Sequence, residues 1–255
     1  RAVLPEDIYD IASMTKILAS LPLIMELESN GTIDLNDTMG EILPQLDTTN
    51  KASITIKNAL SHYGKFKAWI PFYQYTLDEK TKRPSTTYYR KQPSEDFNIK
   101  ITDKLYLRSD YKDSIIGRIA GTDLRSRLSY KYSDLPYYLM KEYLEGYYNK
   151  GLDEITQERF YKPLGANFMG YNPLNRFNKN HITPSENDTY WRFQKIQGTV
   201  HDMGAAMQGN VGGHAGLFSN ANDVAKMMQM YLQNGYYGGK RYFSKETMTT
   251  LNTCH

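Results

Sequence analysis

Apolar residues recur every three or four positions in several segments of the chain, and this spacing predicts amphipathic helices. The clearest run follows Ser13 and predicts a helix over about residues 13–29. Asn30-Gly31 comes next, a pair suited to a left-handed C-terminal cap. Pro22 lies inside the run, where it removes one backbone hydrogen bond, so a kink or a break is expected in that turn.

Four further helices are indicated by similar spacing and by capping residues. They are expected over about 56–62, from a cap at Ser133 or Asp134 onward, over about 152–161, and from a cap at Asn220 or Asn222 to Gly235. The segment "TIDLNDTMGEILPQL" predicts a turn and a short helix. Residues 75–104 are polar, contain two prolines and show no apolar period, which predicts a surface excursion that is functional or mobile.

Composition narrows the class of protein. With 255 residues, 40% of them hydrophobic and 23% charged, the chain is long enough to fold around a buried core. The net charge of +3 comes from 31 basic and 28 acidic residues without a basic block, which argues against nucleic acid as a partner. No apolar stretch approaches the ~20 residues of a spanning helix, so no transmembrane segment is predicted.

Metal and cofactor chemistry has no sequence signal. Cys254 is the only cysteine, which excludes an intrachain disulfide and a cysteine-rich metal site. His62, His181 and His201 are far apart and form no HExxH motif, so neither a metal nor a cofactor is predicted. Two interpretations of His201-Asp202 are open. The two side chains form a pair that orients residues of an active site, or His201 is a structural histidine.

Ser13 and Lys16 are the first candidates for chemistry. A serine hydroxyl is a poor nucleophile until a base takes its proton, and a lysine three residues along a helix can reach it. Roughly one such spacing is expected by chance in a chain of this length. Ser109 and Lys112 also fit it, in a charged segment. On spacing alone, a purely structural role therefore remains open, in which Ser13 begins a helix and Lys16 extends to solvent.

The surrounding segment changes this balance. "DIASMTKILASLPLIMELESNGTIDLND" resembles the nucleophile segment of the penicillin-recognising serine hydrolases, which include class C β-lactamases, DD-peptidases and related esterases. The segments "ITIKNALSHYGKFKAW", "YKYSDLPYYLMKEYLE" and "GGHAGLFSNANDVAKMMQMYLQNG" resemble later segments of the same family, in the family's order. The similarity is closest to β-lactamase-like domains attached behind glycoside hydrolases in bacterial cell-surface proteins.

This resemblance implies an α/β (α+β) fold of the β-lactamase/DD-peptidase type, as a single domain over residues 1–255. The fold is expected to be helix-rich, with an incomplete antiparallel sheet because the chain looks truncated at both ends. A periplasmic or otherwise extracytoplasmic location is implied.

The resemblance also assigns site residues. Ser13 is expected to be the acylated nucleophile, Lys16 its proton acceptor and Tyr132 the phenol that passes protons to the leaving group. Asp134 stands where many relatives have Asn, and it is expected either to help bind substrate or only to cap a helix. His214 is expected near the rim of the pocket, as a candidate substrate-binding residue.

The expected function is a serine hydrolase that acts on D-amino-acyl amide, ester or β-lactam bonds, with a small-molecule or peptidoglycan-derived substrate. The family's Lys-Thr-Gly or His-Thr-Gly strand, which donates half of the oxyanion hole, is not found in these residues. Because losing one such donor typically costs about 10²- to 10³-fold in rate, weak turnover by this segment is expected. The alternative is a non-catalytic accessory or binding module attached to a glycoside hydrolase of the β-N-acetylhexosaminidase type.

Overall fold

The computed structural model describes residues 2–253, so Cys254 lies outside the described residues. The α-helices of this part are α1 Leu21–Ser29, α2 Met39–Ile42, α3 Ile56–Leu60, α4 Tyr111–Gly121, α5 Leu135–Tyr148, α6 Leu152–Thr156, α7 Met203–Ala206, α8 Ala221–Leu232 and α9 Lys245–Asn252. The strands are β1 Tyr9–Asp10, β2 Tyr89–Arg90, β3 Ile99–Thr102, β4 Leu105–Leu107, β5 Glu186–Asp188, β6 Gln194–Ile196, β7 Phe218–Ser219, β8 Tyr236–Tyr237 and β9 Lys240–Arg241.

The helix predicted after Ser13 is present, but it begins with a π-helical turn over Lys16–Ser20 that leads directly into α1. Pro22 does not break the helix, because it occupies the first turn of α1. The backbone carbonyls just before it gain partners from distant side chains. The Tyr231 hydroxyl donates to Ile17 O at 2.6 Å, and the Tyr161 hydroxyl donates to Leu18 O at 2.9 Å. Carbonyls without an α-helical partner are thereby satisfied inside the protein.

Three of the predicted helices begin at residues whose side chains cap them. Thr55 caps α3, and Asn220 caps α8 by accepting a hydrogen bond from the Asp223 N–H at 2.9 Å. The short helix expected in "TIDLNDTMGEILPQL" is α2, which has a capping box between Thr38 and Glu41. The helix expected over 152–161 consists of α6 and a second π-helical segment, Gln157–Tyr161.

The strands pair in four small antiparallel sheets. β1 pairs with β7, β5 with β6 and β8 with β9, while β2, β4 and β3 form a three-stranded sheet in that order. Residues 75–104 show no pattern in the sequence, but in the structure they contain β2 and β3 of the three-stranded sheet. Strands of two to four residues are too short to show a period of two in the sequence.

One main hydrophobic core joins the helices to this sheet. Helix α5 supplies much of it, because most of its first ten residues are buried, and it packs against both α4 and the π-helical turn after Ser13. A second, small cluster of Ile8, Ile182 and Phe218 lies beneath the pairing of β1 with β7. The predicted α/β class with antiparallel strands is confirmed. No helix in residues 2–253 is both long and apolar enough to cross a membrane.

Candidate active site

Ser13 lies in a tight turn between β1 and the helix that follows. Ala12, just before it, has a φ of +46°, an unfavourable left-handed conformation for a residue with a Cβ atom. The turn is held from two sides. The Thr15 hydroxyl donates to Ala12 O at 2.6 Å and accepts from the Leu217 N–H at 3.1 Å. The nucleophile candidate is therefore fixed against the loop that precedes β7.

Lys16 is 3% exposed, and its ammonium group contacts three acceptors. Nζ lies 3.0 Å from Ser13 Oγ, 2.7 Å from Asp134 Oδ1 and 3.3 Å from the His214 backbone oxygen. An ammonium group has three N–H donors and no acceptor, so these contacts use all of them. The contact expected between Ser13 and Lys16 is present, and the geometry is that of a charged lysine held beside the serine.

Asp134 occupies the N-cap position of α5, but its side chain makes no capping hydrogen bond. The side chain that reaches the first turn belongs to Ser133, whose Oγ accepts from the Leu135 N–H at 3.2 Å and donates to Lys67 O at 2.6 Å. The Asp134 carboxylate is directed to Lys16 instead. The expectation that Asp134 only caps a helix is therefore wrong.

Tyr132 lies on the open side of this group and is 41% exposed. Its ring centroid is 4.8 Å from Lys16 Nζ and 4.5 Å from the His62 ring. His62 Nδ1 accepts a hydrogen bond from the Ser133 N–H at 3.2 Å, which requires an unprotonated Nδ1. The loop that contains Tyr132 and Asp134 is thus held by a neutral histidine. The sequence pattern did not single out this function of His62.

His214 does not lie at the rim of the pocket, because it is 1% exposed. Its Nε2 lies 2.8 Å from Asp202 Oδ1, and its ring stacks on Tyr138 at 4.3 Å. Burial opposes ionisation of Asp202, but His214, the hydrogen bond from the Ala205 N–H and the nearby Lys16 together hold the pKa of Asp202 below its usual value. Of the two interpretations of His201-Asp202, the pair is wrong, because Asp202 contacts His214 and His201 approaches Glu186 at 3.5 Å.

A narrow cleft opens beside Asp134. Its walls include Trp69, Tyr73, Tyr138 and Gly204, with Asp202 at its base. A substrate group in this cleft would lie next to the ion pair of Lys16 and Asp134. Residues 2–253 contain no cluster of three or more His, Cys, Asp or Glu side chains arranged to hold a metal ion.

The sequence profile of the Beta-lactamase family matches residues 1–251. The chain belongs to this family. It is 30% identical to a protein named "Putative D-alanyl-D-alanine carboxypeptidase" from Escherichia coli strain K12, over 96% of the chain and 55% of that protein. It is also 31% identical to a Bacillus subtilis protein named N-acetylmuramyl-L-alanine amidase, over 94% of the chain and 53% of that protein.

Solved structures of this family share the fold at low sequence identity. A D-stereospecific amidohydrolase from Streptomyces aligns with a TM-score of 0.65 and 15% identity, over 97% of the chain and 65% of that structure. The chain thus spans about half the length of the curated relatives that it matches.

Stability is expected to depend on pH through His62. Burial and the nearby charge of Lys16 lower the pKa of His62, although Asp134 opposes the shift. An unfolded histidine takes up its proton near pH ~6.5, above the folded-state pKa. The unfolded state therefore binds more protons, and stability present above pH ~6.5 is lost as the pH falls toward the folded-state pKa.

Urea unfolding of the wild type and of His62→Gln at pH 7.5 and pH 5.5 tests this expectation. The wild type should lose more stability between the two pH values than the variant, by less than about 1 kcal/mol because the ring is partly exposed. Equal losses in the two proteins would contradict a neutral His62 in the folded state.

Proposed function

We propose that the chain is the serine-hydrolase portion of a cell-envelope enzyme that forms an acyl-enzyme on Ser13. The observation that carries the proposal is the contact of 3.0 Å between Ser13 Oγ and the buried Lys16 Nζ. The family membership and the names of the relatives support hydrolysis. Bonds of the D-amino-acyl amide, ester or β-lactam type are the proposed substrates, in an extracytoplasmic location.

In the proposed reaction, the unprotonated amine of Lys16 accepts the hydroxyl proton of Ser13. Ser13 Oγ bonds to the carbonyl carbon of the substrate, and the bond to the leaving group breaks as that group takes up this proton. Tyr132, beside Lys16, is the proposed route for the proton. Water next attacks the acyl carbon and gives a proton to Lys16. The ester bond to Ser13 Oγ then breaks, the acid product keeps the hydroxyl group of the water, and Lys16 passes its proton to Ser13.

Asp134 and the backbone oxygen of His214 have a defined task in this scheme. Both hold Lys16 Nζ within reach of Ser13. A substrate that contacts Asp134 from the neighbouring cleft would weaken this ion pair.

Covalent labelling of Ser13 tests the proposal. The wild-type chain and Ser13→Ala are incubated with a fluorophosphonate and, separately, with a penicillin, and the intact masses are measured. We expect a single adduct on the wild type and none on the variant, because the reactive oxygen is absent.

Circular dichroism of both proteins provides the folding control for this labelling. A folded wild-type sample that forms no adduct with either reagent would contradict the proposal, and it would favour a non-catalytic module. An adduct that persists in Ser13→Ala would assign the nucleophile elsewhere.

A further inference from the structure

A cavity beside the three-stranded sheet lies away from Ser13. It has a volume of about 480 Å³ and opens between that sheet and the loop that joins β5 to β6. Cavities that hold small molecules fall in the range of roughly 300–1,000 Å³. The cavity is therefore large enough for an organic ligand.

Cationic side chains surround this cavity, and none of its described lining residues is acidic. Arg192 is neutralised by Asp188 and Glu186, each at 2.7 Å. Arg83, Lys91 and Lys104 have no carboxylate within 4 Å among residues 2–253, and Asp103, next to Lys104 in sequence, pairs with Lys100 at 2.8 Å. The mouth of the cavity thus has an unneutralised positive charge that favours an anion.

The interior of the cavity is apolar. Its surface is lined in part by Trp191, Tyr89, Leu105 and Phe193, and the Arg83 guanidinium lies over the Phe193 ring at 4.5 Å. A ligand with a flat or otherwise apolar body would bury area against these rings. Charge at the mouth and apolar rings within indicate a ligand that combines both properties.

Trp191 forms part of the wall of this cavity. Its side chain is fully buried, and its ring centroid lies 5.5 Å from that of Tyr73 and 6.4 Å from that of Tyr89. The Tyr89 hydroxyl, which shares a hydrogen bond of 2.6 Å with Thr76, is the acceptor near the indole N–H. The indole N–H is therefore placed to report a change in this wall.

The cavity is distinct from the cleft beside Asp134. The two share no lining residue, and a wall of aromatic rings separates them. Trp191, which lines the cavity, contacts Tyr73 at 5.5 Å, and Tyr73 lines the cleft. We propose that this cavity is an accessory binding site for a small organic anion with an aromatic or other apolar body.

Nuclear magnetic resonance of the full chain tests this proposal, with 2-naphthoate as the probe and 2-naphthamide as its neutral match. The chain has two tryptophans, so it gives two indole N–H signals, and Trp69→Phe identifies that of Trp191. We expect saturable shifts of the Trp191 signal with 2-naphthoate and at least about tenfold weaker binding of 2-naphthamide. Added salt should weaken the binding of the anion.

Matched variants test whether the cationic residues that line the cavity bind the anion. Arg83→Gln combined with Lys104→Gln is expected to weaken 2-naphthoate binding about tenfold, while Lys240→Gln, on a different hairpin, leaves it unchanged. Three results would overturn the proposal: no saturable shift in the folded wild type, equal binding of the two probes, or a response confined to Trp69 in the cleft. Labelling of Ser13 is measured separately and does not depend on these outcomes.

Discussion

Replacing Lys16 with glutamine is expected to lower the rate of Ser13 acylation by about 10²- to 10⁴-fold. Glutamine keeps a polar chain of similar length but has no basic nitrogen to accept the hydroxyl proton at the 3.0 Å contact. The rate of adduct formation with a fluorophosphonate, followed by intact mass, measures this effect. The variant also leaves Asp134 without its cation. The stability of the wild type and of the variant is therefore measured by urea unfolding.

The second Ser-x-x-Lys spacing in the chain provides a matched control. Lys112 lies on the surface of α4, with its ammonium group 3.2 Å from Glu142. Lys112→Gln should therefore label at the wild-type rate. If Lys16→Gln also labelled at that rate while remaining folded, Lys16 would not be the base.

Replacing Asp188 with alanine is expected to destabilise the fold by about 3 kcal/mol, because it removes one of the two carboxylates that neutralise the buried Arg192 charge. Asp188 Oδ2 accepts from Arg192 Nε at 2.7 Å, and Oδ1 accepts the N–H groups of Tyr190 and Trp191 at 3.0 and 2.8 Å. Both side chains of the ion pair are fully buried. Urea unfolding followed by circular dichroism measures the change in free energy.

Asp110→Ala is the control for this prediction. Asp110 also pairs with an arginine, Arg108, but both side chains are exposed, so solvent screens the interaction. Its removal should leave the unfolding midpoint nearly unchanged. Similar midpoints for Asp188→Ala and Asp110→Ala would contradict the assignment of the buried pair as a main support of the β5–β6 hairpin.

Local signals made much of the helical structure predictable. Capping side chains at Thr55 and Asn220 act on backbone groups within three residues, so their effect is visible in a short stretch of sequence. The contact between Ser13 and Lys16 is local for the same reason, because it spans three residues. Assignment of the chain to the β-lactamase family from sequence required the resemblance of several segments.

Contacts between distant residues could not be predicted in this way. The ion pair of Lys16 and Asp134 joins segments more than a hundred residues apart. The resemblance places His214 near the rim of the pocket, yet Asp202 and Tyr138 hold it in the interior. These partners are distant in sequence, and a local sequence pattern does not identify them.

The π-helical turn bears on how a substrate could enter and leave. The carbonyls of Ile17 and Leu18 are bonded to phenols that belong to two other helical segments, so the backbone beside Ser13 cannot rotate without breaking both bonds. On the opposite side, residues 131–134, which include Tyr132, are held to residues 62–68 by four hydrogen bonds. Entry of a substrate and exit of a product are therefore expected to leave both sides of the site in place.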